Sequence, residues 1–200
     1  NSRVQLRMGV YSCVDKSLDI ERRFDRAKMA ADTVRNSYTR NIGIYDDTLH
    51  KSELYHIQLI EEFPRAVEEG QFKVYFQPKF DIRPEEPVLD SAEGLVRWQH
   101  PRLGLVSPGT FIPLFESNGM IRALDHYVWR ETLEQIRAWR ERFGRTVPVS
   151  VNMSRMDMFD TNLVETLTQM VADSGCTPGD LLLEITESAY TNDSDLILST

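Results

Sequence analysis

Cysteine is nearly absent: Cys13 and Cys176 are the only two in 200 residues. Two distant thiols cannot make a disulfide framework or a metal knuckle, a usage that suits a reducing, cytoplasmic setting. No apolar run approaches the roughly 20 residues of a membrane span, and no charged-then-apolar leader opens the chain. Basic residues are in the minority, with 23 Lys and Arg against 31 Asp and Glu and a net charge of −8. A DNA or RNA polymer is therefore not the expected partner. Glycine-rich phosphate loops, internal repeats and low-complexity tracts are also missing. The four histidines, His50, His56, His100 and His126, have no ligand spacing and no nucleophile partner, and read as surface or packing residues. What is present is 41% hydrophobic and 27% charged residues. That is the composition of a globular chain of one large or two small domains, able to bury roughly 70% of its unfolded surface. The chain begins at Asn1 without an initiator Met, so a piece of a longer, membrane-tethered or soluble parent is expected.

Hydrophobic periodicity organises the chain. Residues 7–12 read as a short strand and 20–36 as a helix opened by Ser17 and Asp19, with Phe24, Ala27, Ala31 and Val34 as one apolar stripe. Residues 41–45 read as another strand. Asp46-Asp47 can cap a second helix over Leu54, Ile57, Leu59 and Ile60 to about Phe63. Pro64 should kink or restart it, with the last turn closing at Gly70. The expected division is a first domain over 1–45, a kinked linker helix over 46–70 and a second domain over 71–200.

From Gln71 onward, strands at 73–80, 92–98, 147–153 and 181–186 alternate with helices at 111–117, 123–143 and 163–174. That alternation implies an α/β fold with a parallel sheet or barrel. The first two strands lack a helix between them; an eleven-residue loop, 81–91, suits an antiparallel pair. The helix bearing Trp129, Leu133, Ile136 and Trp139 reads as a core stripe.

Polar residues at the ends of apolar strands carry the chemistry. Alternation puts Glu93, Leu95 and Arg97 on one strand face. Asn152 ends its strand with Ser150 and Ser154 on its side, and Glu184 follows three leucines that should be buried. A carboxylate in such a place needs a partner or a cation. Three oxygen donors from three strands, without His or Cys, suit Mg²⁺, Mn²⁺ or Ca²⁺. The plainer reading makes each a cap or ion-pair partner, with Glu93 and Arg97 paired along one strand.

The segments Tyr75-Phe76-Gln77-Pro78-Lys79, Glu93-Gly94-Leu95-Val96-Arg97-Trp98-Gln99-His100-Pro101, Phe111-Ile112-Pro113, Glu116-Ser117-Asn118-Gly119, Val149-Ser150-Val151-Asn152-Met153-Ser154 and Glu184-Ile185-Thr186-Glu187-Ser188 together resemble the first half of an EAL domain. The resemblance implies a TIM-barrel-like domain whose first strand is antiparallel, and cyclic-di-GMP phosphodiesterase activity giving linear pGpG. It implies Glu93, Asn152 and Glu184 as ligands of Mg²⁺ or Mn²⁺, and Gln77, Leu95 and Arg97 as dinucleotide contacts. Glu187 becomes the glutamate that steadies the loop after the Glu184 strand, grouped with Glu93 as catalytic. Pairing of two copies through the EAL domain is also implied. Phe24-Asp25-Arg26-Ala27-Lys28-Met29-Ala30-Ala31-Asp32 more weakly resembles the C-terminal part of a GGDEF domain, the diguanylate-cyclase-like fold. Two departures stand out. Gly94 replaces the usual Ala, and the chain stops at Thr200, before the family's paired aspartates, lysine and last glutamate. The 200 residues alone are thus expected not to hydrolyse cyclic-di-GMP. The alternative function is a catalytically inactive cyclic-di-GMP sensor or scaffold.

Overall fold

The computed structural model describes residues 6–12, 14–35, 37 and 39–185. They divide into two compact units between Glu61 and Glu62.

In the first unit β1 (Met8–Val10) and β2 (Ile42–Ile44) pair in parallel, with α1 (Ile20–Asp32) as the crossover. Asp19 caps α1 by accepting from the Arg22 amide. The helix ends earlier than its periodicity suggests, where the Thr33 hydroxyl donates back to Ala30 O at 2.7 Å and competes with the helical ladder. Both strands bring a glycine against the helix backbone. A Cβ on Gly9 would lie 1.7 Å from Ala27 O, and one on Gly43 would lie 1.8 Å from Ala30 O. This close approach selects Ala30 and Val34 for burial, whereas Phe24, expected in the stripe, is 69% exposed. Gly43→Ala must push helix and strand apart. It is expected to lower the stability of this unit by about 1–3 kcal/mol or more, measured as the urea midpoint; an unchanged midpoint would show that the contact is dispensable.

Helix α2 (Asp47–Glu68) begins where Asp46 Oδ1 accepts from the amides of Thr48 and Leu49. The expected restart at Pro64 does not occur. One helix runs through it, losing only the hydrogen bond that the missing N–H would have made. At its end Gln71 N bonds to Ala66 O and Gly70 takes φ +62°, the left-handed closing turn that glycine adopts without strain.

The second unit is built on a mixed sheet. β3 (Phe72–Asp81) and β4 (Val88–His100) are antiparallel, as expected, but both are longer than alternation suggests and the connection shrinks to residues 82–87. β5 (Gly104–Val106) folds back on β4. After α3 (Pro108–Asn118) and α4 (Ile121–Phe143), β6 (Val149–Met153) pairs in parallel with β4. The short α5 (Arg155–Met158) and α6 (Leu163–Ser174) then lead to β7 (Leu181–Ile185), parallel to β6. The strand order is β3-β4-β6-β7.

Cross-strand pairs Phe72 with Trp98, Val74 with Val96 and Phe76 with Gly94 put one face of the hairpin against the helices. Phe63, Phe72, Trp98, Phe111 and Phe115 form an aromatic cluster with ring centroids 4.6–6.5 Å apart. Its polar atoms are satisfied: Trp98 Nε1 donates to Gln71 Oε1 and Tyr127 OH to Phe72 O. Trp129, Leu133 and Ile136 are buried, and Trp139 meets Phe76 edge to face. Buried His100 accepts at Nδ1 from the amides of Arg102 and Leu103, which leaves Nε2–H to donate to Glu62 at 2.6 Å.

Candidate functional site

The opposite face of the same strands gathers the polar residues. Period-two alternation keeps Tyr75, Gln77 and Lys79 of β3 with Leu95 and Glu93 of β4, because Gln77 pairs with Glu93 and Tyr75 with Leu95. Parallel register then sets Ser150 beside Glu93, and Glu184 beside Asn152. Residues far apart in the chain thus form adjacent rows.

Lys79 stands at the centre. Its Nζ donates to Glu184 Oε1 at 2.5 Å and to Ser150 Oγ at 2.9 Å, and lies 3.8 Å from Glu93 Oε2. The ammonium, followed by the Ser150 hydroxyl, holds the Glu184 carboxyl below its usual range, and Glu184 in turn raises Lys79. Both carboxylates therefore reach one cation. Glu93 pairs with this lysine and Arg97 donates to Val96 O at 2.8 Å, so the alternative of a Glu93–Arg97 ion pair along one strand is not what forms.

β4 runs beside β6 only as far as Gly94. Beyond that point the strands separate and leave a cavity of about 190 Å³, lined by Leu95, Arg97, Glu116, Asp125, Asn152 and Ser154 with apolar side chains of α3 and α4. Leu95, Arg97 and Asn152 thus meet in the cavity, Glu93 and Glu184 meet at Lys79, and Asn152 touches both groups through its register beside Glu184. Trp129 Nε1 donates to Asn152 O at 3.2 Å and ties the end of β6 to α4. Gln77 is exposed at the edge, and Glu187 lies outside the described residues. Leu181 is buried, but Leu182 and Leu183 are 44% and 38% exposed, contrary to expectation; among the described residues β7 pairs on its β6 side alone.

Gly94 faces away from this group, where an added Cβ would meet Val151, Val74 and Thr132 at 3.2–3.4 Å. A shift of a few tenths of an ångström accommodates a methyl group. Gly94→Ala should consequently change stability by less than about 1.5 kcal/mol in thermal melts and leave the opposite face intact.

Two functional candidates were missed by pattern reading. Lys79 lies two residues beyond Gln77 on the same strand face, a position that alternation alone could have marked. Asp125 occupies the buried stripe of α4 between Leu124 and Val128 and is 8% exposed; an acid inside an apolar helical stripe was the available signal. Asp125 Oδ2 accepts from the Ser154 amide at 3.1 Å, and Asp157 Oδ2 accepts from the Ser154 hydroxyl at 2.6 Å. Burial first, then the hydrogen bond and charge of Asp157, push the Asp125 carboxyl up to about 9. A carboxyl raised in the folded state contributes stability that is fully present below its unfolded value near 4 and is lost as pH climbs toward 9. Asp125→Asn preserves an oxygen for the Ser154 amide and removes the charge. The variant should gain about 1–3 kcal/mol relative to the native chain at about pH 8, and little at about pH 5, in paired denaturation curves.

A profile of the EAL domain matches residues 60–199. The chain belongs to the EAL domain family. MucR of Pseudomonas aeruginosa, a bifunctional diguanylate cyclase/cyclic di-GMP phosphodiesterase, is 30% identical over 169 residues, covering 84% of this chain and 24% of MucR. The cyclic di-GMP phosphodiesterase PA2567 of the same species is 30% identical over 197 residues, covering 95% of this chain and 32% of its own. The chain thus spans about a quarter to a third of the length of these relatives. Among solved structures, the PaMucR phosphodiesterase in complex with c-di-GMP superposes with a TM-score of 0.63 at 32% identity, over 71% of this chain and 57% of that one. The EAL enzyme Bd1971, in a form bound to cAMP and cyclic-di-GMP, shares the EAL fold at a TM-score of 0.61 and 21% identity, over 90% of this chain and 46% of its own. The sheet and helices of the second unit are therefore those of an EAL domain.

Proposed function

We propose that this EAL domain binds cyclic-di-GMP and, within its full-length protein, hydrolyses it to pGpG with Mg²⁺ or Mn²⁺. The observation that carries this reading is the convergence of the Glu93 and Glu184 carboxylates on one cation, beside a cavity lined by Arg97. The names of the MucR and PA2567 relatives point the same way.

The donor set fits a hard divalent ion. The Lys79 ammonium marks a point within reach of both carboxylates, and Asn152 adds an amide oxygen next to Glu184 by register. Glu93, Asn152 and Glu184 are thus the proposed ligands. When bound, such an ion polarises a phosphoryl oxygen and lowers the pKa of a water. Arg97 offers paired N–H donors to a phosphate. Leu95 supplies an apolar wall, and Asp125 lines the floor of the cavity, where its carboxyl is engaged by the Ser154 amide. Because the cavity is smaller than the roughly 300–1,000 Å³ of a typical ligand pocket, the dinucleotide would lie partly outside it, and exposed Gln77, opposite Glu93 on the same face, is proposed as a further contact. Glu187, outside the described residues, keeps the role that the family resemblance implies for it.

The parallel run β4-β6-β7 is consistent with part of a TIM-like barrel. For residues 1–45, the parallel βαβ unit supports the reading as the end of a GGDEF-like domain, with 46–70 as the linker helix. Among the described residues no helix is long and apolar enough to cross a membrane, and a cytoplasmic site of action is proposed from the sparse cysteines.

Calorimetric titration with cyclic-di-GMP in Ca²⁺, alongside chromatography of products formed in Mg²⁺ or Mn²⁺, tests the reading. Binding with pGpG formation by the full-length protein supports it. Binding without product establishes the sensor alternative, and absence of binding overturns both.

A further inference from the structure

We infer that Lys79 is a tethered counter-ion that occupies the acid site until a divalent cation displaces it, and so sets the metal affinity of this domain. The inference rests on the proposed role of Glu93 and Glu184 as metal ligands and adds a competitor for them within the chain.

Two carboxylates aimed at one point repel each other when no cation lies between them. The fold supplies a cation from the neighbouring strand. Lys79 is opposite Ser91 at the last regular rung of the β3–β4 ladder; the next pair is Phe80 with Leu89, so Asp90 is an extra residue on β4. Such a bulge bends the strand and re-aims side chains at its edge. The four-carbon stem crosses the Glu93 row and places Nζ on Ser150 and Glu184.

Occupancy by both cations is unfavourable. A divalent ion takes oxygen ligands at about 2.0–2.6 Å, and Glu184 Oε1 is already engaged by the ammonium at 2.5 Å. A metal sharing that oxygen would sit within a few ångströms of a like charge. Release is open to the lysine, because its side chain is 40% exposed and its flexible stem lets the ammonium regain water. A latch of this kind multiplies the apparent dissociation constant of the metal by the reciprocal of the open fraction. For a part-exposed ion pair that factor is at most about fivefold.

The test uses the full chain without nucleotide and titrates Mn²⁺ and Ca²⁺ by calorimetry. Lys79→Met should bind either ion about two- to fivefold more tightly than the native chain, while Lys79→Arg, which restores a tethered cation, should not. In parallel, amine-reactive labelling read by mass spectrometry follows the ammonium itself. Lys79 should label slowly without metal and faster at saturating Mn²⁺, with the other lysines as internal references. Equal metal affinity in native and Lys79→Met chains overturns the inference but leaves the metal site standing. Unchanged labelling of Lys79 at saturating metal also overturns it, since the lysine then stays in place. If neither chain binds metal, the ligand assignment falls as well.

Discussion

Glu93→Gln is expected to reduce cyclic-di-GMP hydrolysis by the full-length protein more than about a hundredfold at saturating Mg²⁺ or Mn²⁺, while dinucleotide binding persists. The substitution retains size and one oxygen and removes the charge that a hard cation requires. Altering a group that merely orients a metal ligand already costs about 10–100-fold, and loss of a direct anionic ligand should exceed that. The fold should tolerate the change. Glu93 sits 3.8 Å from Lys79 in a part-exposed pair, a contact worth about 1 kcal/mol or less. A thermal midpoint close to that of the native protein, together with lost turnover, is the expected pair of results. Full activity would remove Glu93 from the metal site, and a collapsed midpoint would make it a structural residue instead.

Arg97→Ala is expected to weaken cyclic-di-GMP binding by about 1.5–3 kcal/mol, the range for a hydrogen bond to a charged group, which is roughly 10–150-fold in dissociation constant. Arg97 is half-buried on the cavity wall with one guanidinium N–H donated to Val96 O, so most of its donors remain for a ligand. Metal affinity should not change, because the carboxylates converge on Lys79 and not on Arg97. Calorimetry with the dinucleotide and with Ca²⁺ separately reads both quantities. Loss of metal affinity, or intact nucleotide affinity with a lowered melting point, would give Arg97 a packing role.

Much of the site was legible because strand geometry is periodic. Alternation alone placed Glu93, Leu95 and Arg97 on one face, and the observed register agrees. Local chemistry also read true at the caps Asp19 and Asp46 and at Gly70, since each depends on a few neighbouring residues. The departures have separate causes. Of the kink or restart expected at Pro64, the restart does not occur and α2 continues through it, because one lost hydrogen bond is small against the ladder on either side. Phe24 fits an apolar stripe but is exposed, because Gly9 and Gly43 bring their strands to another part of the helix. Leu182 and Leu183 are apolar, but burial depends on which strands flank β7.

By itself, the sequence determined which side chains share a face of each strand or helix, the hairpin that opens the second unit, and, through linked motifs, membership of the EAL family. Those properties follow from backbone periodicity and from residues close together in the chain. Only the tertiary structure decided that β6 lies beside β4 and β7 beside β6, and therefore that Lys79 meets Glu184 across 105 positions. Strand pairing is a long-range choice, made by burial of the aromatic face against α3 and α4, and no local pattern encodes which polar residues that choice brings together on the other face.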